Sequence, residues 1–143
     1  MVSSAFWAFG TALQLGDGAT SETFTSIAEL TEIQPPQMTK ESYDVTNHSS
    51  TNRFRERIPG LKDGGSLSFK ANWLPNNATH DESTGLWECY KDNVNHNWRL
   101  VLPDSLGTVS FAGHLTALSP ETPLAGQGTL SGTIVVSGEP TWS

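Results

Sequence analysis

Four histidines, one cysteine and 15 carboxylates are the residues of this 143-residue chain best suited to chemistry. Their spacing points to no preformed centre. His48, His80, His96 and His114 lack metal-ligand spacing, and Cys89 has no CxxC partner and no second cysteine for a disulfide. His80-Asp81 has the look of a dyad but falls where a helix is expected to begin. Residues 16–20, GDGAT, resemble a phosphate loop but lack the Gly-Lys-Ser/Thr that would hold terminal phosphates and Mg²⁺. They read as a hairpin turn. No GxSxG or HExxH occurs, and no two carboxylates are spaced as an acid and base pair. The expectation is therefore no catalytic residue, no metal and no cofactor, with the histidines at the surface or at strand ends.

Charge is more informative. The net charge is −7, yet three of the four arginines, Arg53, Arg55 and Arg57, fall within SSTNRFRERIPGLKDGG, residues 49–65. An acidic chain repels nucleic acid over most of its surface, which argues against a dedicated DNA-binding domain. The basic segment could be a solvated loop, a short nucleic-acid contact or a protein contact. Phe54, between two arginines, favours the last, because arginine and aromatics are enriched at interface cores. A basic knob on an acidic body is complementary to copies of itself, which suits head-to-tail assembly. A second aromatic group, Phe6, Trp7 and Phe9, precedes the first predicted strand. This N-terminal arm, residues 1–10, either folds back on its own domain or docks on another subunit, and the residues alone leave both readings open. The N-terminus lacks the basic residues and long apolar run of a signal peptide, and no stretch approaches 18 apolar residues, so no membrane span is expected.

The elements that must position these groups follow from periodicity. In SLSFKANW, Leu67, Phe69, Ala71 and Trp73 alternate with polar residues, which makes a strand with one apolar face. Similar alternation marks Trp98–Leu102, Val109–Leu118 and Leu130–Val136. Further strands are expected at Ala12–Leu15 and Phe24–Ile33, with a weaker one from Met38 to Val45. Trp73, Trp87 and Trp98 are assigned to the core. One segment departs from this pattern. Thr79 and Glu82 have capping-box spacing, and Leu86, Cys89 and Tyr90 share a helical face, so a helix is predicted over 81–91. The class is mainly β: about seven strands flanked by one α-helix, with an N-terminal arm and a long loop at 47–63.

Taken in order, the blocks GTALQLGDG, FTSIAELTEI, ESYDVTNHSSTNRFRERIPGLKDGGSLSF, NNATHDESTGLWECYKDN, NWRLVLPD, VSFAGHLTALSP and GTLSGTIVVSGEP resemble the major tail (tail tube) proteins of long-tailed bacteriophages. The resemblance spans nearly the whole chain and rests on the succession of blocks rather than on one motif. It implies a β-sandwich or split barrel with a flanking helix. It also implies six subunits closing into a ring with a continuous inner β-barrel, and rings stacked into the conduit for DNA ejection into the host. It assigns Arg53, Phe54, Arg55, Arg57, Phe6, Trp7 and Phe9 to contacts between subunits and rings. The implied partners are other copies of the chain, the tape measure, tail terminator and baseplate or tip proteins, and passing double-stranded DNA without specific binding. The expected location is the virion tail, after synthesis in the host bacterial cytoplasm. A tail adaptor or terminator ring, or a type VI secretion-like tube protein, is the alternative. The chain is expected to be a single tail-tube domain, 1–143, without the C-terminal immunoglobulin-like domain that some members carry. A bore that does not hold DNA should be net negative, with Glu29, Glu32, Glu41 and Asp44 as candidate acids.

Overall fold

The computed structural model describes residues 3–143; of the predicted arm, Met1 and Val2 lie outside the described residues. The strands are β1 (Ala12–Gly16), β2 (Phe24–Ser26), β3 (Leu30–Gln34), β4 (Thr39–Asp44), β5 (Arg57–Asp63), β6 (Ser66–Asn72), β7 (His96–Val101), β8 (Thr108–Glu121) and β9 (Thr129–Trp142), with one helix, α1 (Leu86–Lys91), among the described residues. Seven strands form an antiparallel sheet in the order β2-β1-β7-β8-β9-β6-β3, and β4 and β5 pair apart from it.

The two outermost strands of that sheet, β2 and β3, are joined by only Ile27, Ala28 and Glu29. Laid flat, seven strands about 4.8 Å apart would separate them by roughly 29 Å. A three-residue link reaches about 14 Å at most. The sheet must therefore curl until its ends meet, giving a split barrel. Its interior is filled by the alternating apolar residues: Leu67 and Phe69 of β6, Trp98 and Leu100 of β7, Phe111 and Leu115 of β8, and Leu130 and Ile134 of β9, all buried. Trp98 donates its indole N–H to the Gly113 carbonyl at 3.1 Å, so the largest core side chain is also polar-satisfied. Leu86 and Cys89 of α1 pack into the same core, and burial pushes the Cys89 thiol up to about 12.

The class expected from sequence holds, with different boundaries. Among the described residues there are nine strands rather than about seven. The single strand expected at Phe24–Ile33 is two, because Glu29 adopts φ 50 at the corner between sheet ends. The helix begins at Leu86, not at 81. The Asp81 carboxylate accepts hydrogen bonds from the N–H groups of Ser83, Thr84 and Gly85, a local turn that competes with the helical ladder. Thr79 does not cap the helix: its hydroxyl donates to Asn77 Oδ1 at 2.7 Å and accepts from the Ala28 N–H at 3.1 Å. The loop expected at 47–63 ends at Glu56, because Arg57–Asp63 is strand β5. Trp73 and Trp87 are half-buried rather than core.

His80 overturns the surface reading of the histidines, being fully buried. Its Nδ1 accepts from the Leu74 N–H at 3.1 Å and its Nε2 donates to the Ala28 carbonyl at 3.0 Å. With Thr79 it ties the 74–85 excursion to the corner that closes the barrel. Burial pushes the imidazole below its usual 6.5, only partly opposed by the Ala28 carbonyl and the Glu29 charge. The neutral ring is the folded form. As pH falls below about 6.5 the unfolded chain takes up a proton that folded His80 refuses, so stability should decline there and level off below the folded pKa. His80→Ala should remove this part of the slope. It also leaves two buried backbone groups without partners, a loss of about 2–5 kcal/mol in denaturant unfolding. An unchanged slope between pH 6.5 and 5 would contradict the assignment.

Candidate assembly surfaces

Three surfaces could engage other molecules. The first is the β4–β5 ribbon. Gln34 lies opposite Ser68 in the β3–β6 pair, and Thr39 lies opposite Asp63 in the β4–β5 pair. The partner numbers sum to 102 in both, so β3–β4 and β5–β6 are one hairpin whose register is constant from Glu32 to Lys40, with a bulge beyond each end of that stretch. Pro35-Pro36, which cannot supply ladder donors, and Gly64-Gly65 interrupt it. Gly65 has φ 75 and sits against the Gln37 backbone, where a Cβ would collide with the Gln37 carbonyl. Beyond this break the ribbon leaves the barrel: every residue of β4 is exposed, and every residue of β5 except half-buried Gly60. Tyr43, Ile58 and Leu61 are all solvent-accessible on it. An isolated two-stranded ribbon is marginally stable in water, so this one is suited to being covered.

The basic segment occupies the tip of that ribbon. Arg53 closes a 3-10 turn at φ 63, Phe54 is 74% exposed, and Arg57 opens β5 opposite Asp44. Arg55 is already engaged within the chain, its Nη1 lying 2.8 Å from Asp44 Oδ2. Hydrogen bonds from Thr46 hold the Asp44 carboxyl below its ordinary range, with Arg55 a further cause. The Tyr43 hydroxyl donates to Glu41. Two of the four candidate bore acids, Glu41 and Asp44, thus belong to the projecting ribbon.

The second surface is the arm. Phe6, Trp7 and Phe9 are exposed, and the rings of Trp7 and Phe9 stack with centroids 5.1 Å apart. The arm borders an open groove against Leu30, Ile33, Leu100 and Leu102. Its described root is held by the Thr11 N–H and hydroxyl, both donating to the Ala8 carbonyl.

The third surface was not singled out from sequence. β7 covers β8 only over Thr108–Gly113, so residues 114–121 have a free edge on that side, while β3 has a free edge at the other end of the sheet. Between these edges lie four strands in the order β8-β9-β6-β3. Their outward face carries His114, Ala117, Ser119 and Glu121; Thr129, Ser131, Thr133 and Val135; Ser66, Ser68, Lys70 and Asn72; and Glu32 and Gln34. Most of it is a carpet of small polar groups; Glu32 is a candidate acid on it, and Glu29, at the barrel corner, borders it by accepting from the Asn72 side chain at 3.4 Å. The signal was present as the polar half of each alternating strand, but alternation does not say which sheet face meets a partner. Among the described residues no group of three His, Cys, Asp or Glu is placed to hold a metal ion.

Residues 7–143 match the family model described as lambda phage tail tube protein, TTP. No curated protein sequence matches the chain. Among solved structures, the fold is similar to a protein in the tail of an empty gene transfer agent particle, refined helically with C6 symmetry, at 21% identity and TM-score 0.75 over 92% of this chain and 94% of that one. It is also similar to a chain in the sheath/tube terminator structure of an extracellular contractile injection system, at 10% identity and TM-score 0.75 over 100% and 99%. A third likeness is to the SPP1 tail tube, at 10% identity and TM-score 0.64 over 92% and 75%. At these identities the likenesses establish the fold.

Removing the arginine should separate the two causes acting on Asp44. In Arg55→Ala, a carboxyl titration followed by NMR should show the Asp44 pKa rising only partway, because the Thr46 hydrogen bonds remain. Full return to the ordinary value of 3.8 would mean the ion pair alone sets it.

Proposed function

The chain belongs to the lambda phage tail tube protein family, and we propose that six copies join edge to edge into a ring, and rings stack into a tube that conducts DNA. The observation that carries the ring is the pair of free edges. Along β8-β9-β6-β3 neighbouring strands alternate in direction. An even number of strands per copy lets β3 of one copy meet residues 114–121 of the next antiparallel, so the ring closes without a mismatch. Twenty-four strands at about 4.8 Å give a circumference near 115 Å and a backbone diameter of about 37 Å, wide enough for a duplex once side chains are counted. The C6 symmetry of the gene transfer agent tail supports the copy number.

Stacking falls to the ribbon and the arm. Arg53, Phe54 and Arg57 project from the ribbon tip, where they can meet an acidic neighbour, while Arg55 stiffens the tip through Asp44. Phe6, Trp7 and Phe9 supply apolar area that a second copy would bury. The role is structural, without a catalytic step, in the virion tail after synthesis in the bacterial cytoplasm. A tail terminator, tape measure and baseplate or tip are its neighbours. A terminator ring is the second reading, favoured by the likeness to a chain of the sheath/tube terminator structure; the family match favours the tube.

Electron microscopy of the purified protein at rising concentration, or seeded with tail initiation components, should show tubes. A monodisperse monomer under both conditions would contradict the proposal. Reversing Arg53, Arg55 and Arg57 to Glu should abolish tubes while leaving the monomer's thermal midpoint within a few degrees, because exposed charges add little to folding whereas like charges across an interface cost several kcal/mol. Normal tubes from this variant at low salt would make the tip a solvated surface. Deleting residues 1–9 should likewise leave the monomer folded and prevent stable polymerisation; a large drop in monomer stability would show that the arm serves its own core.

A further inference from the structure

Of the eight basic residues, only Lys70 lies on the β8-β9-β6-β3 outward face among the described residues. Three arginines sit at the ribbon tip, Arg99 lies over the Phe24 ring, Lys40 and Lys62 belong to the ribbon, and Lys91 ends α1. Directly opposite Lys70 in the β3–β6 register is Glu32. Cross-strand partners have Cβ atoms about 4.5–5.5 Å apart and opposite charges there attract, although in the single chain the two groups face each other across the ladder without direct ion-pair contact. Glu121, opposite Thr129, is a second acid of the face, and Glu29 reaches it from the barrel corner, accepting from the Asn72 side-chain amide at 3.4 Å, so three carboxylates stand against one ammonium there. Between them lie hydroxyl, amide and methyl groups.

We propose that Glu32 masks Lys70 on the wall of the bore, so that passing duplex DNA meets no free cation. This rests on the assignment of that face to the bore. In a sixfold ring an unmasked Lys70 would become a circle of six ammonium groups repeated at every ring. Phosphates would settle on such circles by releasing condensed counterions, and the DNA would stick at each. With Glu32 opposite, each ammonium has a carboxylate across the ladder, and the remainder of the wall, neutral or acidic, gives phosphates little to hold. The pairing explains why a lone lysine is tolerable on this face, and why it stands on β6 beside an edge strand that carries an acid.

The test uses assembled tubes of the full chain and a short fluorescent DNA duplex, sedimented together at about 0.05 M and 0.2 M salt. Wild-type tubes should leave the duplex in the supernatant at both. Glu32→Gln tubes should pellet roughly tenfold more duplex at the lower salt and release it at the higher, with a log–log slope of about −0.9 per phosphate contact. Adding Lys70→Gln to that variant should restore the wild-type result. Glu32→Gln tubes that leave the duplex free, or wild-type tubes that retain it equally, would overturn the masking. Should Glu32→Gln not assemble, Ser68→Lys places a lysine opposite the uncharged Gln34: retention supports the inference and no retention overturns it. Micrographs of wild-type tubes report separately on the assembly, so masking can fail while the tube stands.

Discussion

Backbone hydrogen bonding at the sheet edges governs this molecule. Seven strands are forced to curl because the outermost two are joined by three residues, yet they do not close on themselves by pairing: β2 and β3 meet at a corner without a shared ladder. That corner is held from outside, by Thr79 and His80 bonding the backbone of Ala28. Closure of the barrel and placement of the helix are thus one event. It leaves β3 with an open edge, and the unequal lengths of β7 and β8 leave another. Edges of this kind are a hazard in a monomer. In the proposed ring of copies they are the joint.

The long hairpin from Leu30 to Asn72 does two jobs in one continuous excursion. Its proximal half, β3 and β6, belongs to the barrel and supplies part of the polar face. Its distal half, β4 and β5, is freed by Pro35-Pro36 and Gly64-Gly65 to reach beyond the body. The ribbon has no core of its own, so in the proposed stack its exposed apolar residues and basic tip would be covered by a neighbour. Charge is distributed to match. Three arginines gather at the tip, while the face proposed to line the bore carries one lysine and a few carboxylates.

The strands that were legible in the sequence are those with one buried face. β6 and the first half of β9 alternate in burial, and Leu67, Phe69, Leu130, Ile134 and Val136 are core. β5 was read as loop because a strand exposed on both faces has no alternation to detect, and Pro59-Gly60 reads as a turn. The break inside Phe24–Ile33 was hidden because Glu29 adopts a left-handed conformation that its residue type does not announce. The helix start was misplaced by a capping-box spacing whose side chains bond elsewhere. Burial of His80 left no periodic trace, since it depends on two backbone groups far apart in sequence. The candidate contact residues were found by composition, as clustered arginines and aromatics in an acidic chain, whereas the wall of the bore required the pairing order of the strands.

The central claim is that ring closure pairs β3 of one copy with residues 114–121 of the next. Amide hydrogen exchange compared between free subunits and assembled tubes tests it most directly. The account predicts that protection gained in the barrel on assembly is concentrated in β3 and in residues 114–121, with β1, β7 and the centre of β9 already protected in the free subunit. Equal exchange at β3 and 114–121 in both states, or new barrel protection confined to β2, would contradict it.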